Sequence, residues 1–310
     1  MPASSHAPHC ATNTIQVASL HVYPLKGAAG FSPHSWPVDE RGLRQDRRFM
    51  LVDETGNFIS QRTCVKLALV RADIAHNIMR ISCPTLAADN SRPRTDATIV
   101  HTDFCSYQIA LDRLTSNMPK NESAYARVQI WDDFVQALAI WPDADAMLSE
   151  FLHQRARLVY MPDNTTRLTN MNRGEPRRNV SFADAAPLLL TSETSLADLN
   201  TRLQIAGSAT IPMDRFRANV VVRGAALAED DQWSALTIQH AQFRASNSCK
   251  RCKVITIDQA TGEFGSRDPI VILATYRGDG NLVTFGQHLL VERAGMISVG
   301  DAITIDARLR

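Results

Sequence analysis

The chain has 310 residues, 45% apolar and 21% charged, with a formal net charge of +1. That length can bury a core without disulfide or metal staples. The near-neutral balance excludes a global attraction for nucleic acid or an anionic membrane surface, so any affinity for anions must be local.

The opening stretch, "MPASSHAPHCATNTIQ", is small, polar and Pro-containing. It lacks the basic segment and apolar core of a secretory signal. Residues 1–14 are expected to be disordered. No run of about 18 apolar residues occurs, so no transmembrane helix is expected. The six cysteines are Cys10, Cys64, Cys83, Cys105, Cys249 and Cys252. They are too few and too scattered for a disulfide scaffold, and they fit reduced thiols in a cytoplasmic protein.

The first third reads as short strands. Ile15–Tyr23 is β-rich and stops at Pro24. Phe49–Val52 is apolar, Asp53–Asn57 ("DETGN") is a turn signal, and Phe58–Arg62 resumes, which predicts a hairpin. Leu67–Val70, Ile78–Ser82 and Ala97–Val100 read as further strands. Segments this short and closely spaced point to a barrel or sandwich. A domain boundary is expected near Asn121–Ala124, giving domains of 15–122 and 123–310.

Helical periodicity appears later. Asp143–His153 carries Met147, Leu148, Phe151 and Leu152, with Asp143 as the expected N-cap. Residues 162–179 form a polar, basic loop, readable as solvated surface or as a lid over an anionic site. A second helix begins near Thr191, with Leu196, Leu199 and Leu203 on one stripe. Strands are then expected at Asn219–Val222, Leu236–Gln239, Gln242–Ala245, Val254–Asp258 and Leu289–Val291, and "ISVGDAITI" reads as a turn and strand. The whole is expected to be mostly β with some α.

Chemistry concentrates in "NSCKRCKVITIDQATGE", Asn247–Glu263, where Cys249 and Cys252 form a C-x-x-C. A structural zinc site needs about four N/S ligands, and no second pair is present. A redox dithiol belongs at a helix N-terminus, whereas "KVITID" favours a strand. Two packed thiols would act as small apolar groups, although Lys250 and Arg251 oppose deep burial. The remaining reading is a thiolate beside Lys250, Arg251 and Lys253, suited to a soft or high-valent metal and to an anionic, phosphate-bearing cofactor.

This stretch resembles the cysteine motif of the MOSC-domain family. The resemblance extends, in order, through "VYPLKGAAG" (Val22–Gly30), "GLRQDRRFMLVDETGNFISQR" (Gly42–Arg62), "FADAAPLLLTSETSLADLNTRL" (Phe182–Leu203), "RFRANVVVRG" (Arg215–Gly224) and "FGQHLLVERAGMISVGD" (Phe285–Asp301). It implies a MOSC N-terminal β-barrel domain packed on a β-barrel MOSC domain. The pattern is also similar to that of the mitochondrial amidoxime-reducing components and their bacterial counterparts.

What the resemblance implies is an oxidoreductase carrying the molybdenum cofactor (Mo-molybdopterin) and reducing N-hydroxylated compounds. Cys252 would be the metal ligand and catalytic residue, and Cys249 a neighbour. Lys26, Gly27, Arg47, Asp184, Ala185, Ala186, Arg217, Asn219, Arg251 and His288 would line the cofactor site. Gly27 stands where relatives often have a Ser, Ala185 and Ala186 where some have hydroxyls, and His288 where some have Tyr. Backbone N–H groups would then serve a phosphate near Ala185 and Ala186. His288 and Asp184 are the candidates for proton delivery. The chain ends at Arg310 without a Cys-rich extension, so the expected electron source is a separate electron-transfer protein of ferredoxin, flavin or cytochrome type. The alternative within the family is a cofactor-binding, delivery or sulfur-handling protein without reductase turnover.

Overall fold

The computed structural model describes residues 14–85, 104–116, 118–169, 177–280 and 282–309. Residues 1–13 of the expected disordered start, the expected strand Ala97–Val100 and positions 170–176 of the polar loop lie outside them.

The chain is mostly β. Its largest sheet has eight strands. Seven follow the path Gln16–Leu20, Val220–Arg223, Leu188–Ser192, Leu282–Arg293, Ala241–Lys250, Trp233–Ile238 and Ile303–Arg308; Gly278–Asp279 pairs with Leu282–Arg293 off that path. The sheet curls until its two edges meet. Gln16 bridges Ala302, Val17 N–H donates to Asp301 O at 3.0 Å, and Ile303 N–H donates to Ile15 O at 2.8 Å. Closure satisfies edge groups that would otherwise template aggregation. Val17, Leu20, Leu190, Val222, Leu236, Phe243 and Leu289 fill the enclosed core.

Leu188–Ser192 and Val220–Arg223 are parallel, with Leu190 opposite Val220. A parallel pair needs a crossover, and the helix Glu193–Ile205 supplies it. Ser192 caps that helix by accepting from Ser195 N–H at 3.2 Å. Leu199 and Leu203 are fully buried and Leu196 packs beside them, as their spacing predicts. Each buried Leu contributes about 2 kcal/mol.

A second, four-stranded sheet is formed by Phe49–Val52, Arg157–Tyr160, Asp133–Leu138 and Tyr125–Ile130. Three small sheets accompany these among the described residues: Gly295–Ser298 with Ser35–Asp39 and Gly42–Leu43, Arg71–Ala75 with Ile78–Pro84 and Phe104–Ala110, and the two-stranded Ile257–Asp258 with Glu263–Phe264. No helix among the described residues is long and apolar enough to cross a membrane.

Several expectations require correction. Val65–Leu69, taken partly as strand, is a 3-10 turn in which Leu67 and Ala68 are buried; a short apolar run does not separate strand from buried helical turn. The stretch after Cys252 is also a 3-10 turn, Lys253–Thr256, and only Ile257–Asp258 is strand. Thr256 Oγ1 donates to Lys253 O at 2.7 Å, a local bond that competes with a ladder. Asp143 is not the N-cap: Trp141 holds that position and Pro142 begins the helix Pro142–Leu152. The return arm of the first hairpin is one bridge, Val52 to Phe58, followed by a turn. The helix Asp268–Arg277 had no sequence expectation.

Candidate cofactor site

One cavity of about 550 Å³ is lined by Lys26, Gly27, Arg47, Arg217, Asn219 and Arg251. The same cavity touches Asp184, Ala185, Ala186, Cys252 and His288. Every residue assigned to the site by sequence therefore meets there, although they span positions 26 to 288. They come from the start of the four-stranded sheet, from the loops feeding the parallel strand pair, and from the end of Ala241–Lys250.

The cationic wall is built on unusual backbone. Arg47 and Arg217 have φ of 48° and 54°, a region that costs a non-glycine residue and persists only where contacts over-determine it. Those contacts are present. Arg47 N–H donates to Tyr23 O at 2.8 Å and Arg217 N–H to Asp214 O at 3.0 Å. The two guanidinium carbons lie 4.5 and 4.4 Å from the centroid of the Tyr23 ring, a cation–π arrangement that fixes both heads. Arg47 Nη1 also donates to Asp46 Oδ2 at 2.6 Å and Asn219 Oδ1 at 2.9 Å, and Nη2 to Arg217 O at 3.0 Å. Burial lowers Arg217 to about 10, which leaves it charged at neutral pH.

Lys26 forms the second part of the wall. Its ammonium donates to Phe182 O at 2.8 Å and pairs with the Asp184 carboxylate. Burial pushes Lys26 down to about 8 against the opposing pull of Asp184. The Asp184 side chain is half exposed, so burial raises it little, and Lys26, Arg62 and the Trp131 N–H hold the carboxyl well below its usual range. Gly27 follows with φ of +82°, and a Cβ there would stand 2.6 Å from Leu67 Cδ2. The turn thus has no room for a Ser side chain without a shift of Leu67. The N–H groups of Ala185 and Ala186 donate to no other described group, which leaves them free for an anion.

The two cysteines differ in kind. Cys249 is buried beside Leu189, Ala218 and Val221, and burial pushes its thiol up. Cys252 is half-buried and lines the cavity as the N-cap of the 3-10 turn. Register shifts between Ala245 and Ser248 and between Ser248 and Lys250 bend the strand leading to it. Arg251 is a brace between them. Its Nε and Nη2 donate to Phe285 O at 2.9 and 2.7 Å, and Nη1 to Phe216 O at 3.0 Å.

The walls fit a phosphate-bearing, metal-carrying pterin. His288 Nδ1 and Arg215 Nε are buried without partners at this cavity, so unused hydrogen-bonding capacity faces it. Among the described residues no three His, Cys, Asp or Glu side chains converge as a metal group.

Sequence reasoning missed Trp131, Arg62 and Arg167. Trp131 sits at the tip of the Tyr125–Ile130/Asp133–Leu138 hairpin, with φ of 54°. Its Nε1 donates to Asp184 Oδ1 at 3.3 Å, and the Arg62 guanidinium carbon lies 4.7 Å from its ring centroid. Arg167 Nη1 donates to Ser181 O and Ala183 O, both at 2.7 Å, and Nε to Asp133 Oδ2 at 2.8 Å, bracing the Asp184 loop. That arginine belongs to the described part of the polar loop. The only available signal for Trp131 was an aromatic beside two aspartates.

The sequence pattern of the MOSC N-terminal beta barrel domain matches residues 14–155, and that of the MOSC domain matches residues 177–304. The mitochondrial amidoxime-reducing component 1 of Mus musculus is 27% identical over 303 residues, covering 93% of this chain and 81% of its own length. The molybdenum cofactor sulfurase of Aspergillus niger is 28% identical over 355 residues, covering 93% of this chain. The chain spans only 41% of that sulfurase. The YUAD protein from Bacillus subtilis aligns over 94% of both chains with 12% identity and a TM-score of 0.37, too slight a likeness to argue from. The chain carries both domains in order and belongs to the MOSC-domain family.

Proposed function

We propose that this protein is a molybdenum-cofactor-dependent reductase of N-hydroxylated compounds such as amidoximes and hydroxylamines, taking electrons from a separate redox protein. The observation that carries the reading is the half-buried Cys252 thiol in a cavity that Lys26, Arg47 and Arg217 also line. Arg47 and Arg217 are rigid planar donors suited to a phosphate, and Lys26 is a point charge beside them. When bound, the cofactor supplies the two-electron chemistry that removes oxygen from the N–OH group; with two protons the products are N–H and water.

The chain's own residues bind, orient and hold protons. Arg251 fixes the turn that presents Cys252. His288 is lowered to about 4, by burial first and Arg251 second, so its ring is neutral at pH 7. Asp184 is ionised there. Neither suits the proton-donor role that its position suggested. Lys26, titrating at about 8, holds the mobile proton in this wall, with Asp184 orienting it. Trp131 and the Arg62 stacked on it line the same cavity and would contact a bound substrate.

The sulfurase relative favours a second reading, cofactor binding or sulfur handling without reductase turnover. One experiment separates them. The protein is purified from a cofactor-competent host, assayed for molybdenum and pterin, and then supplied with several reduced electron donors and benzamidoxime. Benzamidine formation supports the reductase. Bound molybdenum and pterin without turnover supports the second reading, and protein free of both overturns the two together.

A further inference from the structure

The Ile78–Pro84 and Phe104–Ala110 strands carry a second thiol pair, remote in sequence from the cofactor motif. Cys83 and Cys105 are direct cross-strand partners, and both thiols are free. Directly opposed residues of an antiparallel pair place their Cβ atoms about 4.5–5.5 Å apart on one face. A disulfide needs about 3.5–4.5 Å between Cβ atoms, so closure asks for an approach of about 1 Å, and at most about 2 Å. The pair lies one residue from the end of its ladder, where Pro84 faces Phe104, and a ladder end yields more readily than its middle.

Their environments divide the work. Cys105 is exposed and Cys83 is 1% exposed, at the edge of the core that holds Met79 and Ile81. Pro84 and Phe104 also line a second cavity of about 540 Å³ together with Arg71, Tyr23, His21 and Asp214. A cross-link at Cys83 and Cys105 would therefore pin the wall of that cavity at Pro84 and Phe104.

We infer that Cys83 and Cys105 form an oxidisable thiol pair whose substrate is a small hydroperoxide. The Cys105 sulfur attacks the peroxide, the O–O bond breaks, and Cys105 sulfenic acid forms as the first water leaves. The Cys83 sulfur then attacks Cys105, the S–O bond breaks, the S–S bond forms, and the second water leaves. Two thiols and one hydrogen peroxide thus give one disulfide and two waters. Burial first, and the neighbouring Cys105 second, push the Cys83 thiol up to about 11. The Cys83 thiolate is therefore scarce at neutral pH, and the second step speeds up as pH rises.

The test is peptide mapping of the full chain after graded hydrogen peroxide, with and without a sulfenic-acid trap. The expected result is a peptide linking Cys83 to Cys105 that dithiothreitol separates, formed faster as pH rises. Cys83→Ser should accumulate trapped Cys105 sulfenic acid, and Cys105→Ser should leave Cys83 alkylatable. Cys252→Ser keeps the linkage test free of the cofactor thiol and should form the same linked peptide. If wild-type protein carries Cys105 to sulfinic acid while Cys83 stays alkylatable, or if neither residue reacts, the inference is overturned.

Discussion

Arg47 Nη1 donates to Asn219 Oδ1 at 2.9 Å, tying together residues 172 positions apart. The same Asn219 oxygen accepts from Leu189 N–H at 3.1 Å, and its Nδ2 donates to His21 O at 3.1 Å. One 1%-exposed amide thus locks the Arg47 head, the parallel strand pair and the end of the first strand. Replacing Asn219 with Leu should cost about 2–4 kcal/mol, because several buried groups lose their partners at once. Urea unfolding monitored by circular dichroism measures it; a loss below about 1 kcal/mol would mean that these contacts are not coupled.

Gly27 makes a second prediction. Its φ of +82° and the nearby Leu67 Cδ2 both resist a side chain. Gly27→Ser should therefore lower stability by about 1–3 kcal/mol. A thermal melt of the two proteins decides it, and an unchanged midpoint would show that Leu67 moves aside freely.

The Lys26–Asp184 pair predicts two pH effects. An unfolded Lys binds its proton below about 10.5, whereas folded Lys26 binds it only below about 8. Between these values the unfolded chain holds more protons, so this group's contribution to stability rises with pH across that window and is flat below it. Lys26→Met should remove up to about 3 kcal/mol of that rise, read as the difference between wild-type and variant urea midpoints from pH 8 to 10. Asp184 behaves oppositely: its folded value is depressed, so its contribution is present above about pH 4 and is lost on further acidification. Asp184→Asn should flatten that acid limb.

Much of this was legible in the sequence, for definite physical reasons. The helix Glu193–Ile205 announced itself through Leu196, Leu199 and Leu203, because its buried stripe has helical spacing. The eleven residues proposed from ordered motifs line one cavity, ten carried by strand ends and the loops beside them and His288 by the interior of Leu282–Arg293. The turns at Val65–Leu69 and Lys253–Thr256 were not. Both carry apolar residues into cores from 3-10 geometry, and local composition there matches a strand. Trp131 was missed because its role depends on a hairpin tip folding onto Asp184, a contact 53 positions away.

The two motif cysteines should respond differently to truncation. Cys249 packs among Leu189, Ala218 and Val221, so Cys249→Ala should cost about 1 kcal/mol of stability and leave much of the cofactor content and activity. Molybdenum analysis alongside a denaturant curve checks both parts; complete loss of molybdenum in that variant would reverse the roles assigned to the two sulfurs.

Cys252→Ala gives the most direct measurement of the central claim. The variant and wild type are expressed in the same cofactor-competent host, and each is assayed for metal-centred spectra and for benzamidoxime reduction with a reduced electron donor. The account predicts that wild-type protein turns over, and that the variant, folded to the same circular dichroism spectrum, loses both the metal–thiolate signal and activity. A Cys252→Ala protein that reduces benzamidoxime at the wild-type rate would contradict it.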